Sequence, residues 1–367
     1  MRGQGGGRGW RSGRAAIAVF ASCIGSLFAF SALAQEDLPE VKILQCISAC
    51  ANSSKAVPIE KPKGSFPRLD MEGSYVEGFV VVRYTIGTDG HVRDVAVARP
   101  IGPKEFADAA TSAVGRWVFK PAEADGKPVE QISSVQFDFR MPNMLKGARD
   151  DVVRKYTQVQ ALIKDDRLDE ALAILAQAQA LTRLNFYERT MIAYAMALVY
   201  ARHKDYLSAQ EEIERATMHG GRDLDSRLLE PAIRIRVEMD LMNGELSGAL
   251  RTFATLKTLD DFKPDDPLVQ MVADARTRAD ALDHFAVKGR IPKAEDGDAW
   301  AHQLYRRDYT FANVEGKLER LQLSCDQQAI ESPITETAEW HVPKNWSNCW
   351  LYVHGTPGTT FELIEAK

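Results

Sequence analysis

The stretch VGRWVFKPAEADGKPV (residues 114–129) decides the fold. It opens as the end of a helix over about residues 104–117, in which Phe106, Ala110, Ala113, Val114 and Trp117 lie at helical spacing and make one apolar stripe. Pro121 has no amide hydrogen with which to continue a helix, and it pushes Lys120 toward extended geometry. A turn at Asp125-Gly126 leads into SSVQFDFRM (residues 133–141), which alternates at period two. Val135, Phe137, Phe139 and Met141 point one way; Ser134, Gln136, Asp138 and Arg140 point the other. Upstream, YVEGFVVVRYTIGTDGHVRDVAVARP (residues 75–100) reads as strand, turn, strand. Val80, Val82, Tyr84 and Ile86 share a face, Asp89-Gly90 is a strong hairpin signal, Val95 and Val97 return, and Pro100, Gly102 and Pro103 end the pattern. The order is β-β-α-β, with one helix on one face of an antiparallel sheet, so the fold class is α+β.

On the C-terminal side of this unit, residues 147–288 read as helical and repeat themselves. The segments DDRLDEALAIL, HKDYLSAQEEI and NGELSGALRTF each place a small residue three positions after an apolar one, at Ala171, Ala209 and Ala249. Alanine permits a close helix crossing, and self-similarity at intervals of 38 and 40 residues means stacked helical hairpins that resemble tetratricopeptide repeats. Residues 289–367 turn to strand-like patterning around Trp300, Trp340, Trp346 and Trp350, with thin apolar content elsewhere. They form a small β-rich unit.

On the N-terminal side, Arg2, Arg8, Arg11 and Arg14 precede the uncharged apolar run of residues 15–34, which ends in Ala32-Leu33-Ala34. A basic start, an apolar middle and a small-x-small site make residues 1–34 a secretory signal, and residues 35–63 a linker to the α+β unit at 64–142. The alternative is an uncleaved anchor, since twenty residues just span a bilayer. Outside Cys23, which lies in the signal, four cysteines remain: Cys46, Cys50, Cys325 and Cys349. In an oxidising compartment the local pairing, Cys46 with Cys50 and Cys325 with Cys349, is the expected one. A zinc site would need four converging ligands, and no histidine stands near either pair at ligand spacing.

The 367 residues are 45% hydrophobic and 26% charged with a net charge of -5, which sets the chain apart from general nucleic-acid binders. Nucleophile-elbow, zinc-protease and phosphate-loop motifs are missing, and the seven histidines are scattered without acidic or cysteine partners at useful spacing. RIPKAEDGDAW, with Glu295, Asp296 and Asp298, lacks the downstream acid of a calcium loop. The expectation is a non-enzymatic binder with no cofactor, no metal and no nucleic-acid partner. Its binding surfaces would be the alternating strand, whose edge can take an extended peptide, and the groove of the helical hairpins.

Several motifs of the α+β unit resemble the TonB C-terminal domain family: Phe66-Pro67 near the start, Gly78 to Tyr84, Asp89 to Val92, and Phe106 to Val129 with its Trp-x-Phe-x-Pro-Ala and Gly-x-Pro-Val signatures. Phe66 stands where that family carries tyrosine. The resemblance implies a β-β-α-β domain that grips a short segment of an outer-membrane receptor, or of another envelope protein, by strand addition. It carries the binding role onto Phe66, Pro67, Arg68, Ile132, Ser134, Gln136, Asp138 and Arg140. It also implies a periplasmic location, with energy passed from inner-membrane motor proteins if residues 15–34 stay in the membrane. The alternative is a periplasmic scaffold whose helical repeats bind proteins without energy coupling.

Overall fold

The computed structural model describes residues 53–62, 67, 77–124, 126–140, 147–181, 184–260, 262–293, 297–325, 329–335 and 338–367. Phe66, Arg68, Cys46, Cys50, Glu295, Asp296 and the apolar run at 15–34 lie outside them, so their expected roles do too. Among the described residues, no helix is long and apolar enough to cross a membrane, and no cluster of acidic, histidine or cysteine side chains fits a metal ion.

The period-two pattern of the central strand organises the first region. After the short strands β1 (Ser53–Ser54) and β2 (Val57–Glu60) comes β3 (Gly78–Ile86), then β4 (Val92–Ile101), helix α1 (Lys104–Val114), β5 (Val118–Lys120), β6 (Ala122–Ala124), β7 (Lys127–Val129) and β8 (Gln131–Phe139). The main sheet is antiparallel in the order β4-β3-β8, so β3 is central. Val80, Val82, Tyr84 and Ile86 are buried on the face that α1 covers with Phe106, Ala110 and Val114, and Val135, Phe137 and Phe139 of β8 join this core. The rings of Phe106 and Phe139 stack at 4.2 Å. Pro100 does not end its strand. β4 runs on to Ile101, and an edge strand tolerates a proline because one side of its backbone has no ladder to satisfy.

The helix end departs from its sequence spacing. α1 stops at Val114 with Gly115 as its C-cap, three residues before Trp117. Trp117 and Phe119 are still buried, but from an extended segment: β5 pairs with β2, Val57 opposite Lys120 and Pro58 opposite Phe119. The same segment crosses the hairpin turn, where Phe119 N donates to Gly90 O at 2.9 Å. Gly90 has φ +80°, and a Cβ there would sit 2.0 Å from the Phe119 carbonyl oxygen. Glycine is therefore required both by the turn and by the strand that passes over it. β6 and β7 pair as a hairpin, with Ala124 opposite Lys127 and Gly126 at φ +74°, while Asp125 lies outside the described residues.

Next come α2 (Asp150–Lys164), α3 (Leu168–Gln179), α4 (Phe186–Arg202), α5 (Tyr206–Ala216), α6 (Ser226–Met242), α7 (Leu246–Leu256) and α8 (Pro267–Ala281). Three turns of one design join α2 to α3, α4 to α5 and α6 to α7. Each has a positive φ at its middle residue, 57° at Asp166, 63° at Lys204 and 80° at Gly244. Each closes with the same wide backbone bond: Arg167 N to Leu162 O, Asp205 N to Tyr200 O, and Glu245 N to Asp240 O, at 2.8–3.0 Å. Ala171, Ala209 and Ala249 follow these turns and are fully buried, which is what a close crossing demands. The repeating unit is thus a helical hairpin.

The boundary assigned at residue 288 shifts. β9 (His284–Arg290) begins inside the stretch read as helical and straddles residue 288, and its partner strand is at the far end of the chain. It is followed by β10 (Trp300–Gln303), β11 (Asp308–Glu315), β12 (Leu318–Ser324), β13 (Ala329–Pro333), β14 (Glu339–His341), β15 (Trp350–Gly355) and β16 (Thr360–Ala366). These make two four-stranded antiparallel sheets, β10-β15-β12-β13 and β14-β11-β16-β9. Both contribute to one core: Leu321, Leu323, Leu351 and Val353 from the first, Val287, Tyr309, Phe361 and Leu363 from the second. The apolar content is therefore richer than the tryptophans alone indicate, and the unit is a β-sandwich. The Cys325–Cys349 disulfide forms as expected, just beyond the paired residues Ser324 and Trp350 of β12 and β15.

Candidate functional site

Strand β8 carries the largest share of the residues assigned to partner binding. Among the described residues it pairs with β3 on one side, Gln131 to Phe139 against Ile86 to Gly78, and with no strand on the other. Its outer edge is a row of backbone donors and acceptors that can take another strand. Ser134 and Gln136 are exposed, and Ile132 is half-buried. Pro67 is half-buried too, while its neighbours Phe66 and Arg68 lie outside the described residues.

Asp138 and Arg140 are placed differently from Ser134 and Gln136. Both reach the chain between α5 and α6. Arg140 donates from Nη1 and Nη2 to the two oxygens of Asp223, each at 2.6 Å, and its guanidinium lies 4.2 Å from the centre of the Phe186 ring. The hydrogen bonds to Asp223 raise the Arg140 pKa against the cost of burial. Arg222 pairs with Asp138. Close by, a Glu77 carboxylate oxygen accepts from the Phe186 amide at 3.1 Å, adding an anion to the N-terminus of α4. Phe79, on the β3 face away from α1, stacks with Phe186 at 6.5 Å. The far end of β8 is therefore joined to the helical array.

A second polar contact ties the β3 face to the sandwich. Arg83 pairs with Asp298 at 2.9 Å and stands 3.3 Å from His354 Nε2. His354 Nδ1 donates to the Asp298 carbonyl at 2.8 Å, which leaves Nε2 to accept from Arg83. Burial lowers the His354 pKa, and the Arg320 and Arg83 charges lower it further against the pull of Asp298.

A third cluster was invisible to sequence spacing. His302 on β10 is 1% exposed and lies between Glu245, which heads α7, at 2.6 Å and Glu365 on β16 at 2.7 Å. Burial opposes the imidazolium, but the two carboxylates outweigh it and raise the pKa to about 10. Glu365 also accepts from the Tyr305 amide at 2.9 Å and from the Arg306 amide. Sealed from solvent, this charged triad holds the helical array to the sandwich and offers no surface to a substrate.

The first region is thus a small α+β module in which, among the described residues, the outer edge of β8 pairs with no strand. Residues 69–141 match the family described as Gram-negative bacterial TonB protein C-terminal. A curated relative, Protein TonB of Pseudomonas aeruginosa, is 28% identical over 94 residues, which are 26% of this chain and 27% of that protein. The chain thus spans about a quarter of the length of the curated relative it matches. The solution NMR structure of the Pseudomonas aeruginosa TonB C-terminal domain aligns at 26% identity over 26% of this chain and 95% of its own, with a TM-score of 0.23. Residues 69–141 are a domain of the TonB C-terminal family.

Proposed function

We propose that the protein is a periplasmic, non-enzymatic member of the TonB family that takes an extended segment of an envelope protein along the outer edge of β8. The observation that carries this is the outer edge of β8, which pairs with no strand among the described residues and has Ser134 and Gln136 exposed beside it, in a domain of that family. Phe66, Pro67 and Arg68 would contact the same segment. Residues 1–34 would direct export, with a link to energy transduction toward outer-membrane receptors if residues 15–34 stay in the inner membrane. The test is a photocrosslinking residue at Gln136 of the full chain in cell envelopes, with the same residue at exposed Gln270 on α8 as control. The expected result is a discrete crosslinked envelope protein from Gln136 alone. Equal products from both positions overturn the proposal.

A scaffold reading has one observation in its favour. Asp138 and Arg140 are already held by Arg222 and Asp223, so part of β8 is committed within the chain. In that reading the helical hairpins capture the partner and the TonB-like domain is a docking module. Moving the crosslinker along the exposed faces of α3 and α5 separates the two, since only a scaffold gives its main product there.

A further inference from the structure

Between the TonB-like domain and the helical hairpins lies a cavity of about 100 Å³. Phe79 and Ile101 of the sheet form one wall; Leu184, Phe186, Ile192 and Met218 of the helical array form the other. Charged groups also line it, and most are matched. Glu212 pairs with Arg215 at 2.6 Å, Asp223 with Arg140 at 2.6 Å, and Arg99 lies over the Phe79 ring.

Arg189 is different. Among the described residues its hydrogen bond is a single one, from Nε to the Leu184 carbonyl at 3.3 Å, and no carboxylate is within ion-pair distance. Burial pushes its pKa down, with Glu188 pulling weakly the other way. A guanidinium does not lose its proton in a protein, so this charge persists despite its desolvation cost. A persistent cation beside Phe79, Phe186, Ile192 and Met218 favours an anion that brings an apolar body with it. A carboxylate fits best, because its two oxygens match the fork of a guanidinium. The size sets the body: voids of roughly 150 Å³ admit a benzene ring, so this one takes a short aliphatic group. Its place between two domains is where small-ligand sites concentrate.

We propose that this cavity binds a small amphipathic carboxylate, with the anion on Arg189 and an aliphatic body against Phe79, Phe186, Ile192 and Met218. The chemistry is shared by a free short-chain acid and by the C-terminal residue of a peptide ending in an aliphatic side chain. The site is separate from the β8 edge, so either proposal can fail alone.

The experiment is calorimetric titration of the full chain with 4-methylpentanoate, its uncharged amide, acetate, and acetyl-alanyl-leucine with a free or amidated terminus. The expected result is binding of the carboxylates with aliphatic bodies, at least tenfold tighter than the amides or acetate. Tighter binding of the free-acid peptide assigns a peptide terminus; tighter binding of 4-methylpentanoate assigns a free acid. R189Q should lose at least tenfold in affinity, and R189K, which keeps the charge without the fork, should lose less. If neither variant folds, the wild-type contrast between acid and amide decides. Equal affinity for acid and amide overturns the proposal, as does the lack of any binding heat up to about 10 mM ligand.

Discussion

Alkaline pH should release the sandwich from the helical array through one side chain. His302 donates from both ring nitrogens, to Glu245 at 2.6 Å and to Glu365 at 2.7 Å, so its charged form is the one this geometry holds. Its pKa rises from 6.5 to about 10 in the folded chain. A histidine raised in this way contributes fully below its unfolded value and loses that contribution as pH climbs through the folded value. The difference between about 10 and 6.5, at about 1.36 kcal/mol per pH unit, is about 5 kcal/mol. A separate route gives a similar figure: removing one partner of a buried ion pair costs about 3–5 kcal/mol. The assay is denaturant unfolding of the wild type and of H302Q near pH 7 and near pH 10, following tryptophan fluorescence. The wild type should lose several kcal/mol over that window. H302Q should begin lower by about 3–5 kcal/mol and change far less. Tyrosines and lysines titrate in the same window, so the difference between the two slopes is the measurement. Parallel slopes would refute the charged triad.

Four further outcomes follow from the structure. Asp240 is buried near the C-terminal end of α6, and burial raises its pKa well above the usual range, so ionised Asp240 works against the fold; D240N should keep the Gln210 contact and gain about 1 kcal/mol or more in thermal unfolding at neutral pH. The Cys325–Cys349 bond closes a separation of 24 residues, so C325S/C349S should cost about 3–4 kcal/mol, read as lower unfolding midpoints that reductant no longer changes. His354 has a lowered pKa, so its contribution is present above 6.5 and is lost as pH falls; hydrogen exchange of the β3 amides around Arg83 should quicken on acidification, and H354Q should remove that dependence. Gly244 has φ +80° and a Cβ there would lie 2.2 Å from the Ala286 carbonyl oxygen, so G244A should cost more than about 2 kcal/mol, measured by unfolding at neutral pH.

Local signals made the TonB-like domain legible. Period-two burial at Val80, Val82, Tyr84 and Ile86, the Asp89-Gly90 turn and the α1 stripe from Phe106 to Val114 each act over a few residues, and each stands where the pattern puts it. The buried alanines of the hairpins were legible for the same reason: a close crossing needs a small side chain at one position per turn. The misplaced features depend on distant partners. Trp117 reads as helical because the strand that draws Val118–Lys120 into extended pairing lies far upstream at β2. β9 reads as part of the helices because β16, which fixes it, ends the chain. His302 looked isolated because Glu245 and Glu365 are 57 and 63 residues away. No spacing rule reaches that far; only the fold brings such groups together.

The contacts of the TonB-like domain also bear on what its edge can accept. Alternation along β3 describes a sheet with one buried face, yet Phe79 is buried against Phe186 and Arg83 is tied to Asp298 and His354 on the other face. The helices and sandwich supply that cover, and among the described residues they take hold of the β8 end at Asp138 and Arg140. Along Ile132 to Gln136 the strand's side chains carry no charge, whereas Arg140 makes a bidentate pair with Asp223 and Asp138 meets Arg222. A segment adding along the first part of β8 leaves these contacts intact. One reaching Arg140 must loosen charge-assisted bonds worth about 1.5–3 kcal/mol each. On the proposed function, the strand therefore discriminates by length, and R222A/D223A should tighten the binding of long segments while leaving short ones unchanged. Equal effects on both lengths would place the partner elsewhere than on β8.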